Sequence, residues 1–385
     1  MHKFICHSSW RKGYFNILLW LVIQLKPKKE DGSMLLKKVL GTAIAGILLT
    51  GMVACGGDEE KSTSNAVAEP KGQNWRYAHE EYENDVQDVF AYKFKEYIEA
   101  NSENTIEVFR FGELGESDDI MEQTQAGILQ FVNQSPGFTG SLIPEAQIFF
   151  IPYLLPVEET HIIEFFKKSK AIKEEFPKLY AEQGLELLTM YPEGETVLTA
   201  DEPIRTPEDL QGKNIRTMTN PLLLETYKAF GGIPTLLPWG EVYGGLQTNI
   251  IQGQENPLFW IESGGLYEVS PNLTFTGHNQ FTTAMMANKE FYDGLSAENQ
   301  KLIKDATAHA FNYMTEYVPG LGERKLQAII DASDEVTVTR LTDAERQAFM
   351  DRAPQVEQKF IEITGERGQK LLEQFKADLE ATATK

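Results

Sequence analysis

The stretch NIRTMTNPLLLETYKAFGGIPTLLPWGEVYGGLQTNIIQGQENP, residues 214–257, is the most informative part of this 385-residue chain. It opens on a short extended run carrying one arginine, Arg216. Pro221 to Phe230 then has helical spacing, and Gly231-Gly232 closes that helix. Gly253-Gln254-Glu255-Asn256-Pro257 ends the stretch and reads as a polar turn. An arginine in a β-type run between apolar residues is seldom buried without a partner. Its guanidinium is a planar fork of donors that matches a carboxylate bidentately. Two partners satisfy that fork, an internal Asp or Glu or the carboxylate of a bound molecule, and spacing alone leaves both open.

Working outward, Thr206-Pro207-Glu208-Asp209-Leu210 has a cap candidate, proline in the first turn and acids after it, and Gly212 ends that turn before Arg216. Upstream, Asn74–Ala78 reads as a first strand and Asn84–Asn101 as an amphipathic helix. Thr105–Phe111 alternates at period two, Asp118–Ala126 is helical, and Ile128–Val132 is extended. Leu185–Met190 and Thr196–Thr199 read as two further strands. This alternation predicts α/β layers with largely parallel sheets. Ser296 to Ser333 is one long helical pattern interrupted at Pro319-Gly320 and Gly322, where proline predicts a kink.

The N-terminal residues point out of the cytoplasm. Met34-Leu35-Leu36-Lys37-Lys38, the apolar run Val39–Val53 and Ala54-Cys55 form a signal peptide ending in a lipobox, so residues 34–54 are expected to be removed and Cys55 lipidated. Residues 1–33 hold a second hydrophobic run with no role in export and read as leader from a misplaced start codon, which N-terminal sequencing of the precursor decides. Residues 55–72 are a flexible tether. Only Cys6 and Cys55 occur, so the folded part has no thiol, disulfide or cysteine-bound metal. The whole chain carries −21; without residues 1–54 it has 28 basic against 55 acidic residues, or −27. That charge repels nucleic acid and anionic lipid. The roughly three hundred remaining residues suggest two lobes rather than one core.

The motifs resemble the TRAP-transporter solute receptors of the DctP type. Asp209-Leu210-Gln211-Gly212-Lys213-Asn214-Ile215-Arg216 stands where that family has a run leading to an arginine on the ligand carboxylate. Gly253-Gln254-Glu255-Asn256-Pro257 stands where an asparagine lines the same site, and Pro238-Trp239-Gly240-Glu241-Val242-Tyr243 resembles the aromatic stretch between them. The likeness extends more weakly over residues 73–375. It implies an α/β, two-lobed periplasmic-binding-protein-like fold with a hinge and a long kinked helix spanning both lobes. One lobe would be 73–193 with 282–321, the other 194–281 with 322–385.

The resemblance implies Arg216 as carboxylate clamp, Asn256 beside it and Trp239 as a flat apolar wall. Tyr243 offers a hydroxyl, while His79, Glu80 and Gln134 follow strands where the family contributes pocket groups. Glu255 fits a structural partner better than a ligand contact, since a carboxylate repels an acid. Phe259, Trp260, His278 and Asn279 are further candidates for the cleft or hinge. Many members carry a second arginine about twenty residues before the clamp; here Gly194-Glu195-Thr196 puts Thr196 in its place. The ligand is therefore expected to hold a single clamped carboxylate, with hydroxyl or apolar features elsewhere or a cation.

Enzyme signatures are missing: there is no GxSxG, HExxH or GxxxxGK[ST], and no EF-hand spacing among the acidic runs. No cofactor or metal is expected. The implied partners are an organic acid, the small and large integral subunits of a TRAP transporter, and the membrane through the lipid on a periplasmic protein. A ligand-binding sensor feeding a signalling system shares the fold and remains the alternative.

Overall fold

In the computed structural model, residues 72–383 are described. The leader, the signal peptide, Cys55 and all but the last residue of the tether lie outside them. Ten strands occur among the described residues: β1 (Asn74–Ala78), β2 (Thr105–Phe109), β3 (Phe131–Gln134), β4 (Leu185–Ala200), β5 (Asn214–Thr217), β6 (Ile233–Leu236), β7 (Gly253–Pro257), β8 (Asn272–Phe275), β9 (Gln280–Asn288) and β10 (Thr337–Arg340). The helices that matter here are α1 (Val86–Asn101), α2 (Ser117–Gln125), α3 (Pro221–Phe230), α4 (Leu258–Ser263), α5 (Ala297–Tyr317), α6 (Leu321–Ala332) and α7 (Ala353–Thr382).

The strands run in the order β2-β1-β3-β9-β4-β7-β5-β6, with β8 bonded to β4 and β10. β4 joins the two halves. Its residues 185–195 lie along β9, residues 196–200 lie along β7, and 198–200 also bond to β8. The stretches 185–190 and 196–199, expected as separate strands, are thus one. Pro192 and Gly194 do not end it because they fall at a register irregularity against β9, where a missing N–H and an extra residue are tolerated.

The sheets are mixed rather than largely parallel. β1–β2, β1–β3, β5–β6, β5–β7 and β8–β10 pair in parallel, whereas β3–β9 and every pairing of β4 are antiparallel. Gly253–Pro257 is likewise a buried strand between β4 and β5, not a turn. Its polar residues find buried partners: Gln254 Nε2 donates to Thr199 Oγ1 of β4 (3.1 Å) and Asn256 Nδ2 to Gln254 Oε1 (2.5 Å). A rule that sends polar residues to the surface misreads such a segment.

The local signals near Arg216 act as expected. Asp209 accepts from the Thr206 N–H at 2.8 Å to start the 3₁₀ turn 207–210, and Gly212, at φ 78°, turns the chain into β5. Asn220 caps α3 through Leu222 and Leu223, and Gly231, at φ 99°, closes it. The 296–333 pattern is two helices divided at Gly320, whose N–H donates to the Glu159 carboxylate at 2.9 Å. α5 packs on α1 and α6 on α4, so the broken helix spans both halves. A second kink, at Gly365 with φ 66°, bends α7.

Candidate functional site

Arg216 is buried on β5 while its neighbour Ile215 faces a small apolar core with Leu210, Tyr227 and Phe230. Its Nε donates to Leu237 O at 3.0 Å. Nη2 is buried with no acceptor, and among the described residues no carboxylate forms a salt bridge with it. Glu255, the obvious internal partner, is already engaged by the Tyr227 hydroxyl (2.9 Å) and His278 Nε2 (2.5 Å). Burial pulls the guanidinium pKa down to about 10, against the negative charges of Glu255, Glu116 and Glu80. A cation so placed leaves the Nη2 donors unused.

Glu80 is the complementary group. Its Oε2 accepts from Ser135 N at 2.8 Å, and its own N–H donates to Gln87 Oε1 at 3.0 Å. Oε1 is buried without a donor, and burial pushes the carboxyl pKa up to about 7. His79 holds this loop rather than offering a free nitrogen. Nε2 meets Asp88 Oδ1 at 3.2 Å and Nδ1 accepts from Glu81 N at 3.2 Å, while burial lowers its pKa. Gln134 donates from Nε2 to Ser117 O at 2.6 Å and keeps a buried, unpartnered Oε1. Behind Glu80, the buried carboxyls of Glu81 and Glu193 are both pushed up by burial, Glu193 to about 8.

An aromatic wall joins the two ends. The Arg216 guanidinium carbon lies 5.9 Å from the Trp239 ring, and Trp239 meets Trp260 edge-on at 4.2 Å. Tyr82 packs edge-on against Trp260 (5.7 Å) and Phe111 (5.5 Å), and its oxygen accepts from Trp239 Nε1 at 3.1 Å. Arg216 and Asn256 are thus buried on β5 and β7, Gln134 is buried at the end of β3, Glu80 is buried just after β1, and Trp239 is buried beside Arg216. Tyr243 instead donates its hydroxyl to Glu268 at 3.0 Å, near the surface. Thr196, in the place of the second arginine, pairs across to Pro257, and its N–H donates to Asn279 O at 3.1 Å. Tyr82 and Glu116 escaped the sequence reading. Tyr82 had a signal, standing two residues beyond Glu80; Glu116 had none, being one acid in an acidic run.

Comparison with known proteins gives the family. The model of the bacterial extracellular solute-binding protein family 7, DctP, matches residues 77–363. The chain belongs to that family. It is a solute-binding receptor of the TRAP type and is related to periplasmic binding proteins throughout its folded part. The ectoine-binding periplasmic protein TeaA of Halomonas elongata is 68% identical over 344 residues, 89% of this chain and 97% of TeaA. The ectoine/5-hydroxyectoine-binding periplasmic protein UehA of Ruegeria pomeroyi is 59% identical over 313 residues, 81% of this chain and 92% of UehA. The high-resolution structure of the ectoine-binding protein of the H. elongata TeaABC TRAP transporter superposes with a TM-score of 0.80 at 73% identity, over 80% of this chain and all of that one.

Proposed function

We propose that this receptor binds ectoine or 5-hydroxyectoine, closes over it by hinge rotation and delivers it to the membrane subunits of a TRAP transporter. One observation carries the reading. Across an aromatic wall, a buried cation with a free donor (Arg216 Nη2) and a buried carboxyl with a free acceptor (Glu80 Oε1) are left without partners. Buried polar atoms are rarely left so unless something completes them. Ectoine is a ring that carries a carboxylate and a positive amidine. It would place its carboxylate on Arg216 and Asn256, its amidine N–H groups on Glu80 and Gln134, and its flat ring on Trp239. A dicarboxylate would set its second charge against Glu80, at a cost of several kcal/mol. The names of TeaA and UehA support the same ligand class.

Calorimetry on the soluble domain tests this. Ectoine and 5-hydroxyectoine are expected to bind at micromolar or better Kd, with succinate at least a hundredfold weaker. Succinate binding with no ectoine binding would sink the assignment.

Cys55 is proposed as the lipidated first residue of the mature protein, tethering the receptor to the periplasmic face of a membrane. Replacing Cys55 with Ala should move the protein from the membrane to the soluble periplasmic fraction; an unchanged distribution would remove the anchor.

A further inference from the structure

Tyr82 stands in the loop after β1, in the half that carries Glu80, whereas Trp239 and Trp260 belong to the half that carries Arg216. An indole N–H can only donate, so in the 3.1 Å contact with Trp239 the Tyr82 oxygen is the acceptor. The same ring lies edge-on to Trp260 at 5.7 Å. One half-buried side chain thus holds two aromatic residues of the opposite half, one by hydrogen bond and one by ring contact. The residue after Trp239 also comes close to the other half: a Cβ on Gly240 would stand 3.0 Å from Glu116 Oε1, so a larger side chain there would push the Glu116 carboxylate aside slightly. The halves meet closely here, and Tyr82 bridges them.

We propose that Tyr82 is a latch that sets how long the ligand stays bound, holding the halves together at the mouth of the site through Trp239 and Trp260. The proposal rests on the hinge-closure reading above. Opening must break the Tyr82–Trp239 hydrogen bond and part the ring contacts before ligand leaves. Entry takes place through the open form, where neither contact exists. The latch therefore belongs in the dissociation rate rather than the association rate. Its work is between the protein's own halves.

Stopped-flow tryptophan fluorescence with ectoine tests this on the whole soluble domain. Tyr82→Phe keeps the ring contacts and removes the acceptor, so its dissociation rate is expected to rise about three- to tenfold with the association rate within twofold. Tyr82→Ala, which loses both contacts, is expected to rise by about thirtyfold or more. A merely structural role would lower the thermal midpoint of the ligand-free protein; Tyr82→Phe is expected to leave it unchanged. A dissociation rate equal to wild type in both variants, or a loss confined to association, overturns the latch. Failure of wild-type protein to bind ectoine would sink the ligand assignment alone. The latch is then read by the same stopped-flow experiment with succinate, where a dissociation rate equal to wild type in both variants again overturns it.

Discussion

Arg216→Met is expected to abolish measurable ectoine binding while leaving the ligand-free protein as stable as wild type. Methionine fills nearly the same volume and removes only the charge and its donors. Losing one partner of a buried, hydrogen-bonded charge pair costs about 2–5 kcal/mol, roughly 30- to 4,000-fold in Kd. The stability half separates the two partners that the sequence left open. Had Arg216 closed an internal ion pair, removing it would strand a buried carboxylate and cost about 3–5 kcal/mol. Here Glu255 keeps its bonds to Tyr227 and His278 whatever stands at 216. Only the Leu237 carbonyl loses a donor, and relief of a desolvated charge offsets that loss. Calorimetric binding together with thermal unfolding reads both. A midpoint lowered by about 8 °C or more with binding retained would return Arg216 to a structural role.

Much of this site was legible because its signals are local. The cap at Thr206, the glycine turn at 212 and the apolar flanks of Arg216 are determined within a dozen residues, and so is the break at Pro319-Gly320. Misread elements were those whose state depends on distant strands. Gly253–Pro257 looks like a turn until β4 and β5 surround it and Thr199 satisfies Gln254. Pro192 and Gly194 look like a strand end until β9 continues past them with a shifted register. Tyr82 shows the same limit at the site: its importance lies in Trp239 and Trp260, more than 150 residues away. Thr196 ran the other way, because the residue type there excludes a second cation without any tertiary information.

Ectoine affinity should fall in acid, and Glu80 should be the reason. In the ligand-free protein, burial holds its pKa at about 7, so the carboxyl is half protonated near neutrality. A bound amidinium favours the ionised form and pulls that pKa down. Binding below pH 7 therefore releases a proton, and affinity is constant above pH 7 and declines towards tenfold per unit below it, until the lowered pKa of the complex is reached. Between pH 8 and pH 5.5 the loss comes to about thirtyfold. His79 does not supply this dependence, since burial lowers its pKa and Asp88 and Glu81 occupy both nitrogens. Calorimetry in buffers of different ionisation enthalpy counts the released proton directly. Glu80→Gln, which retains the shape and an acceptor for Ser135 N, should bind ectoine at least a hundredfold more weakly at pH 8 and lose the acid limb. A wild-type affinity that stays flat from pH 8 to pH 5.5, with no proton released, would show that the ligand presents no positive charge to Glu80. The zwitterion reading would fall with it, while Arg216 would remain a clamp for a simple acid.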